Sequence, residues 1–195
     1  TYKSYTLTFS QGAGTNLEVT KNGSTILSGS TVYTGDVIQV WYNASTGYTN
    51  AMCSVSSVGV INNGGTFTVS TNHTITTSAS VLSYSLSINA GTGSTITVNR
   101  TSSPLKGAAT GNITSLDPIY YNDSLTITFV ALPGYGLVTT TVNGSDFTSG
   151  NPHTVIDNVT VATTTKQLGL VYIDNGSGFD AYLIYIDNGN SWEQY

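Results

Sequence analysis

Charge is what this sequence has least of. Only 8% of its 195 residues are charged, with five Lys and Arg against ten Asp and Glu and a net charge of -5, where globular chains average about a quarter. So few cations leave no basic footprint for nucleic acid or an anionic membrane. Cysteine is nearly absent. Cys53 stands alone, which excludes an internal disulfide and a thiolate metal cluster within one chain, and it reads as a small buried hydrophobe. No run is long and apolar enough to span a bilayer, so membrane insertion is not expected. No segment sustains a 3.6-residue apolar period. An initiator Met and a signal peptide are missing, as in a processed chain or a fragment of a longer protein.

Catalytic motifs are missing too. There is no GxSxG elbow, no Gly-Lys-Ser/Thr phosphate loop, and no HxH or HExxH. Gly12-Ala13-Gly14 and Gly91-Thr92-Gly93 lie between strands with no following helix, and read as hairpin turns. His73 and His153 are each flanked by Thr and read as exposed or half-buried strand residues. Asp36, Asp117, Asp123, Asp146 and Asp157 fall at turns, with no facing pair of the kind a glycosidase needs. The expectation is a protein that is not an enzyme and that carries no cofactor and no metal.

What is present is alternation. Hydrophobic residues make up 38% of the chain, enough for a core, and they recur every second residue among Ser, Thr and Asn, as strands do. The chain also repeats itself. Tyr5, Leu7, Phe9, Gly14, Leu17 and Val19 recur 79 residues later as Tyr84, Leu86, Ile88, Gly93, Ile96 and Val98. Each set reads as a hairpin of two strands joined by a Gly turn. In the middle of each half, Ile38, Val40 and Tyr42 share one strand face, as do Leu125, Ile127 and Phe129. Both strands lead to a Gly-Tyr pair, Gly47-Tyr48 and Gly134-Tyr135. The offset there is 87 residues, so the second copy carries an insertion, placed in SSPLKGAATGNITSLDP, where indels cost least. Each half closes with another pair of short strands. Asn143-Gly144 marks a tight hairpin turn.

This gives an all-β chain: two tandem small Ig-like or β-grasp-like repeats of five or six strands each, 1–80 and 81–167, and a β-hairpin tail, 168–195. The tail is itself a repeat. Tyr172-Ile173-Asp174-Asn175-Gly176 returns as Tyr185-Ile186-Asp187-Asn188-Gly189, and Phe179, Asp180 and Tyr182 return as Trp192, Glu193 and Tyr195. Each unit reads as strand, Asn-Gly turn and strand, and the two together as a small meander in need of a partner surface. Asp174 and Asp187 read as turn caps.

Seven aromatics are candidates for an interface or for stacking on a glycan: Trp41, Tyr172, Phe179, Tyr182, Tyr185, Trp192 and Tyr195. Trp41 falls opposite Ile38, Val40 and Tyr42, on the face of Val37 and Gln39. It marks a contact surface if that face is open, and ordinary packing if it is covered. Sequons begin at Asn43, Asn72, Asn99, Asn112, Asn122 and Asn158, among others. In a chain so rich in Asn, Ser and Thr they read as chance rather than as glycan acceptors.

Gly35-Asp36, Gly47-Tyr48, Asn122-Asp123, Gly134-Tyr135 and Val142-Asn143-Gly144 follow a pattern that resembles the InlB B-type or bacterial Ig-like repeats, over about residues 5–165. The first copy departs from it, with Val55-Ser56 in place of Val-Asn-Gly. The tail, from Tyr172 to Glu193, is similar to the tandem YIDNG segments of minor structural proteins of Firmicutes phages. These resemblances imply a virion structural protein, in capsid decoration or in the tail or fibre, acting in assembly, stabilisation or host attachment. Its partners would be other virion subunits, in a homo-oligomer or lattice contact, with a host-surface glycan as a further one. The alternatives are a bacterial cell-surface adhesin or S-layer-type module, which would be extracellular, and a carbohydrate-binding module.

Overall fold

A computed structural model describes residues 2–168 with their side chains, and the tail as the backbone of four strands within 170–194. The described residues contain no helix. The chain divides into two compact units, Thr1–Leu82 and Ser83–Tyr195.

The first unit holds β1 (Ser4–Gln11), β2 (Thr15–Lys21), β3 (Ser24–Thr25), β4 (Ser30–Tyr33), β5 (Val37–Ala44), β6 (Tyr48–Val55), β7 (Gly59–Ile61), β8 (Gly65–Thr68) and β9 (His73–Val81). They form two sheets, β4-β1-β9-β6-β7 and β3-β2-β5-β8. Alternation puts Leu7, Val32, Val55 and Ile75 of one sheet against Val19, Ile38, Val40 and Phe67 of the other, all buried in one core. Ser and Thr hold the outward positions of β1 and β9. The first and last strands run parallel, with Leu7 beside His73.

The second unit contains β10 (Ser83–Tyr84), β11 (Leu86–Asn89), β12 (Ser94–Ser102), β13 (Gly111–Ile113), β14 (Ile119–Tyr120), β15 (Ser124–Ala131), β16 (Tyr135–Val142), β17 (Ser145–Asp146), β18 (Pro152–Thr154) and β19 (Val159–Gln167). Its sheets are β11-β19-β16-β17 and β13-β12-β15-β18, with β10 paired to β14. Leu86, Val142, Val159 and Val161 meet Val98, Leu125, Ile127 and Phe129 in the core. Leu86 lies beside Val159 in a parallel pair that repeats the one in the first unit. Of the two expected architectures, the Ig-like sandwich is therefore the one formed, since each unit packs two sheets of four or five strands around one core. The insertion lies between β12 and β14, as the change of offset predicts. Asn143-Gly144 turns β16 into β17 with both residues at positive φ, and Asn22-Gly23 does the same between β2 and β3.

Two expectations about pairing are corrected. The strands flanking Gly12-Ala13-Gly14 do not form a hairpin: β1 and β2 belong to different sheets, and so do β11 and β12. The glycines carry the chain across the sandwich. Gly12 N–H donates to Thr77 O of β9 at 3.0 Å. Thr15 and Thr77 hydroxyls meet at 2.7 Å, as Ser94 and Thr163 do at 2.6 Å in the second unit. A Cβ on Gly12 would strike the Thr77 carbonyl, and one on Gly14 would overlap the Tyr48 ring. Gly93 lies under Tyr135 in the same way. The Gly-x-Gly and Gly-Tyr motifs are thus two halves of one contact. The closing strands likewise part company, β8 joining β5 while β9 joins β1 and β6.

In the tail, β20 (Leu170–Asp174) pairs with β21 (Phe179–Leu183), and β22 (Tyr185–Asp187) with β23 (Trp192–Gln194). Each YIDNG unit is an antiparallel pair, and the Asn-Gly turns lie outside the described residues. Among the described residues each pair forms a two-stranded sheet, and the expected link between the two pairs, at 184, lies outside those residues.

Candidate functional site

The outer face of β3-β2-β5-β8 carries the one sequence-predicted aromatic whose side chain is described. On β5, Ile38 and Val40 point inward, which turns Trp41 outward. It is 44% exposed. Its ring rests on Gly64 of the β7–β8 loop, where an added Cβ would come within 2.9 Å of Cζ3. Gly64 is held there by its N–H to Val40 O at 2.8 Å, and Gln39 Nε2 donates to its carbonyl at 3.1 Å.

Register supplies the neighbours. Glu18 lies directly across from Trp41, and Asn16 across from Asn43. Asn63 completes a shallow depression of about 320 Å³ around the indole. Most of its polar groups are fixed at one end. Asn63 Oδ1 accepts the Tyr42 N–H at 2.7 Å. Asn16 Oδ1 accepts from Ser45 Oγ at 3.4 Å. Asn43 Nδ2 donates to Ala44 O at 3.3 Å, and Glu18 Oε1 accepts from Thr25 Oγ1 at 3.0 Å. Tyr42 faces inward, its hydroxyl donating to Ile61 O at 2.8 Å.

The second unit has the same strands without this surface. Thr97 and Thr128 are the cross-strand pair that corresponds to Glu18 and Trp41. The fold does not require the Trp–Glu pair.

Tyr172, Phe179, Tyr182, Tyr185 and Trp192 lie on tail strands whose side chains are outside the described residues, and Tyr195 is outside them altogether. Asp174 and Asp187 end β20 and β22.

His73, expected to be an exposed or half-buried strand residue, is buried instead. His73 faces the core because the parallel pairing sets it beside Leu7. It packs edge-on against Phe67 at 5.0 Å, with Nδ1 2.8 Å from Ser56 O. His153 is half-buried beside Phe147, and burial lowers its pKa against the opposing pull of Asp157. Asp123 is buried against Arg100. Among the described residues no three His, Cys, Asp or Glu side chains gather to hold a metal.

Asn72 and Asn158, both heading sequons, have structural work. Their Oδ1 atoms accept the N–H of Thr6 and of Ser85, at 2.9 and 3.0 Å. These are the same position in the two repeats.

The fold defines an all-β protein of two tandem sandwiches and a tail of hairpin pairs. No protein-family model and no curated protein matches it. Among solved structures it is similar to the C-terminal fragment of the pilus adhesin SpaC from Lactobacillus rhamnosus GG, at 12% identity and a TM-score of 0.45, covering 88% of this chain and 100% of that one. So loose a likeness carries no argument about what this chain does.

Proposed function

We propose that this chain is a non-enzymatic structural module displayed on the outside of a virion, where it holds an attachment surface away from the particle. The observation that carries this reading is the contrast between the two units. One outer sheet presents Trp41 with Glu18, Asn16, Asn43 and Asn63, and the equivalent sheet presents Thr97 and Thr128. A half-exposed Trp that the duplicated fold does without is there for contact rather than for folding. The Ser, Thr and Asn of the outer faces suit a module that faces solvent with little charge. The virion setting rests on the YIDNG tail. A bacterial surface adhesin would use the same surface in the same way.

Immunogold labelling of intact particles and of the cells that make the chain tests the reading. Gold on the outside of intact virions is the expected result. Gold on the envelope of uninfected cells would overturn the virion setting in favour of an adhesin. Label that appears only after particles or cells are broken would overturn display altogether.

A further inference from the structure

The depression at Trp41 has a chemistry that names its ligand class, and this step rests on the display reading only for where the ligand is met. Each polar side chain around the indole keeps one group without a partner among the described residues. Asn16 and Asn63 use their carbonyl oxygens within the protein and leave Nδ2 to donate. Asn43 uses Nδ2 and leaves its oxygen to accept. Glu18 has one oxygen on Thr25 and a second free. Two donors and two acceptors are thus arrayed beside one aromatic face. Because their other ends are held, less ordering is needed when a ligand arrives.

The geometry points to a neutral saccharide as the ligand of this surface. A sugar ring offers hydroxyls that donate and accept at adjacent positions, and a C–H face that lies on an aromatic ring. Both features match the array. A flat apolar partner would leave the Glu18 carboxylate and the amide groups desolvated and unpaired, which is unfavourable. An acidic sugar is disfavoured for a different reason. Glu18 lines the site and no Lys or Arg does, so an anionic ring would meet like charge without compensation.

The test uses the full chain. Of its two tryptophans, Trp192 is replaced by Phe so that a single indole N–H reports in NMR. The protein is titrated with gluco-, galacto-, manno- and N-acetylhexosamine oligosaccharides, and with a sialylated oligosaccharide as the charged comparison. The expected result is a saturable shift of the Trp41 indole with at least one neutral sugar. Trp41→Thr places there the residue that the second unit carries in the same fold. It should weaken binding by roughly tenfold or more, the size of a central aromatic contact, with an unchanged melting temperature. Glu18→Gln should weaken it less. No shift with any neutral sugar, equal binding by Trp41→Thr, or preference for the sialylated ligand would overturn the assignment. So would self-association that Trp41→Thr abolishes, which would make a second copy the occupant and leave the display reading standing.

Discussion

Arg100 Nε lies 2.9 Å from Asp123 Oδ2, and both side chains are almost fully buried. At the equivalent place in the first unit, Lys21 Nζ lies 3.1 Å from Asp36 Oδ2, with about a quarter of each side chain exposed. Both carboxylates do the same local job. Asp36 accepts the Tyr33 N–H at 2.9 Å and Asp123 the Tyr120 N–H at 3.0 Å, each closing a turn. The difference between the pairs is the insertion. Arg100 also donates to Ala109 O, at 3.3 Å, and to Pro118 O, and so pins the extra segment that covers it.

The two pairs should therefore respond unequally to mutation. Asp123→Ala leaves a buried guanidinium unpaired and should destabilise the second unit by about 3–5 kcal/mol. Lys21→Ala breaks a partly exposed pair and should remove about 0–1 kcal/mol. Urea unfolding of each variant measures both.

Acid should act on Asp36 in a defined direction. The Tyr33 N–H first, and Lys21 after it, hold its carboxyl below the usual range against the opposing effect of burial. Its contribution to stability is present above the unfolded value of about 3.9 and is lost as pH falls through the lowered folded value. Asp36→Asn should flatten the acid limb of a pH–stability curve in that window.

His153 should act at higher pH. Burial lowers its folded pKa, so as pH drops below the unfolded value of about 6.5 the unfolded chain takes up a proton that the folded chain resists. Stability should fall as pH falls from that value, and remain full above it. His153→Phe, which copies Phe67 of the first unit, should remove that slope. Thermal melts between neutral and mildly acid pH read it.

Glycine substitutions should separate crowding from backbone strain. Gly14→Ala puts a Cβ into the Tyr48 ring at a positive φ and should destabilise by roughly 1–3 kcal/mol. Gly23→Ala meets open space and should cause only the left-handed strain of about 1 kcal/mol.

Cys53 should be silent in the folded protein. Its thiol is buried and burial raises its pKa, so little thiolate is present to react. A thiol reagent should label it only at the rate of unfolding, and rapid labelling of the native chain would place it at the surface.

Strand faces and the duplication were legible because alternation and spacing are local properties. The inward set Ile38, Val40, Leu125 and Ile127 follows from period two alone. Pairing was not legible. A Gly turn between two alternating strands looks the same whether it closes a hairpin or carries the chain to the opposite sheet. The choice is made by Thr77 and Thr163, some 60 or 70 residues away, which bind the Gly12 and Gly91 N–H groups. The same non-local register hid Glu18 as the neighbour of Trp41 and buried His73 beside Leu7. Asn63 and Gly64 had a signal in the run Asn62-Asn63-Gly64-Gly65, but a turn motif does not say which ring it supports. The burial of Asp123 depends on Arg100, whose reach into the core no periodicity announces.

The central claim is that the Trp41 face is a contact surface held outward by a displayed module. High-resolution electron microscopy of the native assembly, with the neighbours of this chain resolved, tests it most directly. The account predicts the first unit at the periphery, with Trp41, Glu18 and Asn43 open to solvent or carrying a ligand. Trp41 sealed within the body of the assembly, or the chain placed in its interior, would contradict it.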